Sequence, residues 1–421
     1  MILPARPSRR APITMTSTPE NTLNSNSNRV MTLVLMFLCQ GLHMIGFGAV
    51  PLFLPLIRTD LGLRYTQAGT LIAGNTLVYA LMQIPAGYLA DRFGPRRVFL
   101  VGFFGTSLTI LAVGRTTNYE TILAIMVLNG FLRSLVFMPG LVLTTGWFTP
   151  QRRATAMSGF ISSTLSFVAI LGLVGPSLVN KFGWRWLFVG LGVVGMVASL
   201  IFAWLANDAP QTVDQSPVRM KDALGLFRYR LMWIVAGIQY VRLAVVLGIH
   251  FWLPTFLVDD TGLSLPATGV VIAATSLLMA PSNLLGGYVS DRIHRPVLII
   301  SVSLGVLTAA LSWLVFADGV VLIIALILVI AAFMQLYFGP LFAVPVEVLG
   351  PRVAGTAGGF GNLFANLGAL TAGFMLGAVR DRTGSFSCGF AILAALAASG
   401  LVLALWLAHE RRQSPSVRKE L

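Results

Sequence analysis

The residues Gly87-Tyr88 and Asp91-Arg92 return 200 positions later as Gly287-Tyr288 and Asp291-Arg292, in a chain of 421 residues that is 56% hydrophobic. The same offset carries Gly62-Leu63 onto Gly262-Leu263, Gly69 onto Gly269 and Gly159-Phe160 onto Gly359-Phe360. Leu54-Pro55 meets Leu253-Pro254 after a slip of one residue. One register held over that span implies a duplication, so the chain is two versions of one apolar unit.

A mean hydropathy of +0.83 and a charged fraction of 10% exclude a soluble globular surface, which carries about 25% charged residues. Segments long enough to cross a bilayer as helices fall near 30–56, 66–90, 98–114, 121–146, 154–180 and 184–206. The second half repeats them near 229–257, 266–290, 296–316, 319–345, 354–379 and 386–408. The expected fold class is an all-α integral membrane protein, with twelve spans in two six-helix repeats.

The formal net charge of +14 raises nucleic acid as a partner, but the placement of the charge points elsewhere. With the amino terminus inside, 20 of the 29 basic residues fall in cytoplasmic segments and seven in external ones. The positive-inside rule then puts both termini in the cytoplasm of a bacterial inner membrane protein. The partners expected are membrane lipid and a small solute, with no nucleic acid, and the chain is expected to act as a monomer.

Residues 1–29 are rich in Pro, Ser, Thr and Asn and read as a disordered cytoplasmic tail. The first six-helix bundle spans 30–206, a cytoplasmic linker with Pro210 and Pro217 covers 207–228, the second bundle covers 229–408, and 409–421 form a tail. The first apolar run is too long for a signal h-region. Two cysteines, Cys39 and Cys388, give no basis for a disulfide framework or a metal site. No cofactor is implied, and no nucleophile, base and metal constellation suggests an enzyme.

The loop Gly87-Tyr-Leu-Ala-Asp91-Arg92-Phe-Gly94-Pro-Arg96-Arg97 resembles the signature loop of the major facilitator superfamily. Its second copy has His294 where the first has Gly94. The start of the fifth span, Trp147-Phe148-Thr-Pro150-Gln-Arg-Arg153, is similar to the family pattern, and the resemblance covers roughly 30–408. It implies that the loop latches the cytoplasmic ends: Asp91 near Arg352, with Glu347 in the same network, and Asp291 near Arg153. Gly87 is expected at a close helix approach, while Arg92, Arg96 and Arg292 sit at the anionic leaflet. Pro51, Pro55 and Pro254 are expected to bend the first and seventh spans toward the site, or to be purely structural.

Two arginines stand within the membrane, Arg133 in the fourth span and Arg242 in the seventh. An arginine at mid-bilayer costs about 2.5–3.5 kcal/mol on insertion scales and seldom faces lipid. In the 199-residue register Arg242 corresponds to His43, which places three potentially cationic side chains at similar depth. All fifteen acidic residues map to loops, tails or helix ends, so the anion's own charge would supply the missing partner. Each arginine has a structural alternative, and for Arg133 it is bonding to helix carbonyls or to Asn129. Uncharged groups expected beside them are Gln40, Asn129, Gln239, Tyr240, Tyr337 and Asn362, with Phe137, Trp252 and Phe338 shaping or packing the pocket. His43 and His250 are candidate proton carriers, or satisfied histidines.

These features point to a secondary transporter of a small organic anion, a mono- or dicarboxylate, working by alternating access as a proton symporter or an anion exchanger. Two alternatives remain open: a drug or metabolite exporter, for which Gly172-Leu-Val-Gly175-Pro176 has a faint likeness, and a non-transporting receptor or assembly protein.

Overall fold

Apolar runs in a bilayer must satisfy their backbone internally, and among the described residues they do so by helices. The computed structural model describes residues 19–147, 153–207, 228–349 and 354–413. The first half holds α1 (Pro19–Leu52), α2 (Leu54–Leu61), α3 (Tyr65–Phe93), α4 (Pro95–Val113), α5 (Tyr119–Thr145), α6 (Arg153–Phe182) and α7 (Trp184–Leu205). The second holds α8 (Arg230–Asp259), α9 (Leu265–Ile293), α10 (Pro296–Val315), α11 (Val320–Leu336), α12 (Phe338–Leu349), α13 (Ala354–Thr383) and α14 (Ser387–Gln413).

Ten helices among the described residues are long and apolar enough to cross a membrane. α3 is long enough but carries Asn75, Gln83 and Pro85, and α6 contributes an apolar helix only over Ser166–Phe182. α1 begins at Pro19, inside the stretch expected to be a disordered tail, and α14 continues to Gln413, past the expected end at 408. The linker expected at 207–228 lies almost wholly outside the described residues.

Proline decides where two spans break. Pro51 and Pro55 have no N–H to donate to Phe47 and Pro51, and the helix gives way at Phe53 (φ −101°, ψ 10°) between α1 and α2. Pro254 has no such effect, because α8 continues through it to Asp259. The second break falls instead at Tyr337 (φ −98°, ψ 5°), where Pro340 deprives the Leu336 carbonyl of its donor.

The halves meet chiefly along two helix pairs, α3 against α13 and α6 against α9, with α1 and α2 also touching α8. In the 200-residue register α3 matches α9, so the two contacts are images of each other. Both are backbone crossings. A Cβ on Gly69 would lie 2.8 Å from the Gly373 carbonyl, and one on Gly269 would drive into the Gly172 carbonyl. A larger residue at either crossing would part the halves. Gly87, expected at a close approach, makes none through its side-chain position, and Gly287 matches it: a Cβ on either would meet nothing within 4 Å. One residue earlier the helix face turns inward, and there Ala86 is fully buried while a Cβ on Gly286 would lie 2.6 Å from the Leu336 carbonyl carbon.

Candidate functional site

At the end of the bundle that carries α2, the halves are tied by side chains. Arg58 pairs with Asp259 at 2.9 Å, and the Tyr65 hydroxyl donates to the same carboxylate at 2.8 Å. Asp381, at the end of α13, accepts the N–H groups of Tyr65 at 3.0 Å and Thr66 at 2.6 Å, together with the Thr66 hydroxyl. The Tyr65 ring lies between the guanidinium carbons of Arg58 at 4.1 Å and Arg380 at 5.2 Å. Trp252 packs against it tilted and Phe386 edge-on, so an aromatic cluster sits at this end. Two more ion pairs stay within their own halves, Arg185 with Asp60 and Arg380 with Asp260 at 2.6 Å.

Arg133 projects from the middle of α5, half-buried, with its guanidinium carbon 3.8 Å from the centre of the Phe47 ring and 4.4 Å from that of Tyr79. Its Nη1 donates to Asn75 Oδ1 at 3.1 Å rather than to Asn129, the neighbour one turn away on its own helix. Asn75 Nδ2 in turn donates to the Met126 carbonyl at 2.9 Å and to Asn129 Oδ1 at 3.0 Å. Asn129 Nδ2 donates to Thr109 at 2.7 Å, and the Thr109 hydroxyl to the Thr106 carbonyl at 2.7 Å.

Arg242 on α8 is 5% exposed. Its Nε donates to Gln239 Oε1 at 2.8 Å, and its guanidinium carbon lies 4.8 Å from the centre of the Phe338 ring, just past the break at Tyr337. Tyr337 is fully buried, and its hydroxyl, like Gln335 Oε1 and Gln40 Oε1, has no hydrogen-bond partner among the described residues. Ion pairs to a carboxylate are absent from both arginines among the described residues. Each guanidinium lies against aromatic surface, Phe47 and Tyr79 for Arg133 and Phe338 for Arg242, and carries further N–H donors in its own plane. That arrangement suits edge-on, bidentate pairing with a carboxylate.

The remaining expected residues spread out. His43 lines a cavity of about 10 Å³ with Thr106, Ser107, Asn129 and Gly195, inside the first bundle between α1, α4, α5 and α7. That is room on the scale of one water molecule. His250 Nε2 lies 3.1 Å from the Met279 sulfur on α9. Gln40 Nε2 reaches Thr164 at 3.4 Å, and Tyr240 shares a 2.7 Å hydrogen bond with Thr371. The Asn362 carbonyl accepts from Asn366 at 2.8 Å. Phe137 packs near Phe160, and Trp252 is fully buried with its indole donating to the Gly373 carbonyl at 3.0 Å.

Of the expected latch, the side chains of Asp91, Asp291, Arg153, Glu347 and Arg352 lie outside the described residues. The described parts repeat: Arg92 donates to Tyr88 at 3.2 Å and Arg292 to Tyr288 at 2.9 Å. Gly94 turns the chain at φ 86°, and His294 takes its place in the left-handed region at φ 54°. Arg96 donates to the Ala203 carbonyl at 2.7 Å near the end of α7, where the helix dipole favours a cation.

Sequence reasoning missed Asn75 as the partner of Arg133, and it missed the closure by Arg58, Tyr65, Asp259 and Asp381. A signal for the closure was present. Ser264 caps α9 through the Ala267 N–H at 3.4 Å, while the matching position before α3 is Arg64, whose side chain offers no cap.

The sequence model described as Major Facilitator Superfamily matches residues 36–373. The chain is 25% identical over 381 residues to the probable sulfoacetate transporter SauU of Cupriavidus necator, spanning 84% of this chain and 87% of that one. It is 24% identical to the hexuronate transporter of Bacillus subtilis, over 94% of this chain and 97% of its relative. It is also 24% identical to the probable L-galactonate transporter of Escherichia coli, over 85% and 84%. Among solved structures, a bacterial homologue of the human lysosomal transporter Spinster, described as inward-facing and unoccupied, superposes with a TM-score of 0.74. It shares 17% identity, over 90% of this chain and 95% of that one, a likeness of fold.

Proposed function

We propose that this chain, which belongs to the major facilitator superfamily, is a secondary transporter that moves a small organic anion, a carboxylate, by alternating access. The observation that carries the proposal is the pair Arg133 and Arg242. Each is seated on aromatic rings with a single side-chain acceptor, Asn75 or Gln239, and neither has a carboxylate partner among the described residues. An anion at about 4 Å in an effective dielectric of about 20 gains on the order of 4 kcal/mol before desolvation is subtracted. Relatives named for sulfoacetate, hexuronate and galactonate support an acid as cargo. A lipophilic cation would meet two uncompensated positive charges, which disfavours the drug-exporter reading. The family and its relatives are transporters, not enzymes.

The distribution of basic residues supports an orientation with the α2 end outside and both termini in the cytoplasm. On that orientation the end tied by Arg58, Asp259 and Asp381 faces outward. The latch around Asp91 and Asp291 would tighten in the opposite state. Coupling runs either through protons, with His43 or His250 as carrier, or through exchange of one anion for another.

The test is thermal-shift screening of purified protein against mono- and dicarboxylates, sulfonates, phosphates, sugars and lipophilic cations, repeated on Arg133→Gln and Arg242→Gln. A bound ligand raises apparent stability. Stabilisation by an acid, lost in either folded variant, is the expected result. Stabilisation by cations or neutral sugars alone would sink the proposal.

A further inference from the structure

We infer that Asn75 is a positioning residue for the anion site: a neutral acceptor, locked in one orientation, that holds Arg133 without neutralising it. The inference rests on the reading of Arg133 as an anion-binding group.

The orientation of the Asn75 amide follows from its neighbours. Its Nδ2 lies 2.9 Å from the Met126 carbonyl, a backbone oxygen that only accepts, so the amide nitrogen must face α5. The oxygen is left facing Arg133, which only donates. Asn129 is fixed in the same way. Its oxygen takes the second Asn75 hydrogen, and its own nitrogen donates to Thr109, whose hydroxyl proton is committed to the Thr106 carbonyl. Asn75, Asn129 and Thr109 are all at most 4% exposed, so none can turn to water instead. The backbone is pinned as well: a Cβ on Gly130 would lie 3.0 Å from the Asn75 carbonyl carbon and 3.1 Å from its Cα.

Three helices thus converge to present one oxygen to one guanidinium. A carboxylate at residue 75 would hold Arg133 at least as firmly, and geometry alone does not call for an amide. What the amide adds is neutrality. It orients the guanidinium between Phe47 and Tyr79 and leaves the positive charge for an incoming anion.

Asn75→Asp separates this role from plain packing. The variant is isosteric, and its outer oxygen would face two acceptors, Met126 O and Asn129 Oδ1. The protonated acid keeps one of the two donations and leaves Arg133 its charge, while the ionised acid pairs with Arg133 and cancels the site. The titratable and charged groups facing this position are Arg133 on α5, Tyr79 on α3 and His43 on α1. His43 and Tyr79 are unchanged in the variant, so the comparison is made as a ratio to wild type at each pH.

The experiment measures the Kd of purified wild type, Asn75→Asp, Asn75→Ser and Arg133→Gln for sulfoacetate, D-galactonate and D-glucarate at pH 5 and pH 8. For whichever probe wild type binds, the Kd ratio of Asn75→Asp to wild type should rise about tenfold or more between the two pH values, the size of about 1.4 kcal/mol. Asn75→Ser, too short to reach Arg133, should weaken binding by a pH-independent factor. It carries the test alone if the aspartate variant does not fold. A pH-independent ratio near one for Asn75→Asp, or wild-type affinity in Asn75→Ser, overturns the inference while leaving the anion reading in place. Binding that survives Arg133→Gln unchanged, or no binding of any probe by wild type, overturns both.

Discussion

Asp381 caps a helix that is not in its own half: its carboxylate accepts the Thr66 N–H at 2.6 Å and the Tyr65 N–H at 3.0 Å, at the start of α3. The first N–H groups of a helix have no partner within it. In the second half Ser264 supplies that partner for α9 from its own chain segment. In the first half Gln67 takes only the Arg64 N–H, at 3.0 Å, so the Tyr65 and Thr66 N–H groups have a side-chain acceptor only while the halves are closed at this end.

Asp381→Ala should therefore weaken the closed state specifically. Removing an N-cap costs about 0.5–2 kcal/mol, a shift of roughly 2- to 30-fold between closed and open populations. The measurement is maleimide labelling of a cysteine at buried Leu63, in a background lacking Cys39 and Cys388. Labelling should quicken in the variant. Arg64→Ser gives α3 a cap of its own in both states and should raise labelling as well, while restoring the thermal stability that Asp381→Ala loses.

Gly130→Ala should destabilise the protein by about 1–3 kcal/mol, because the added carbon meets the backbone of Asn75, which cannot yield as a flexible side chain would. Gly87→Ala, where the new carbon meets nothing within 4 Å, should leave the melting temperature unchanged. Equal effects at the two positions would contradict the packing described for α3 and α5.

Asp260 sets a pH dependence at the closed end. Burial pushes its carboxyl above the ordinary value of 3.8, against the opposing pull of Arg380. A carboxyl raised by folding takes up a proton as the protein folds, so its contribution grows as pH falls from neutral through the folded value. Asp260→Asn removes that gain. The melting temperature of wild type relative to Asp260→Asn should rise on acidification, in the pH range above 3.8.

His43→Gln should abolish accumulation driven by a pH gradient while sparing counterflow, if protons are the coupling ion and His43 carries them. The assay is uptake into liposomes with and without the gradient. Unchanged accumulation would move the role to His250 or to anion exchange.

What the sequence made legible is what repetition and cost make visible. Gly69 and Gly269 stood out as a repeat pair and prove to be the two backbone crossings between the halves. Arg133 and Arg242 stood out because charge within the membrane is expensive. Their partners were another matter. Asn129, one turn from Arg133, was the local guess, but Asn75 arrives from α3, 58 residues away. Hydropathy and spacing do not reveal which face of one helix meets which face of another. The same limit explains why the inward face falls at Ala86 rather than Gly87, since one residue turns a helix by about 100°. The closure by Asp381 joins residues 316 apart. Only the missing cap at Arg64 hinted at it.

The division of labour at that closure also says what the duplication has become. Where the second half has Asp259 and Asp381, the 200-residue register gives the first half Thr59 and Lys181, beside Arg58. At these positions the first half offers a guanidinium and a helix start, and the second half offers the carboxylates that accept from them. Descendants of one repeated unit, the halves are no longer interchangeable here, and the closure is built from unlike partners.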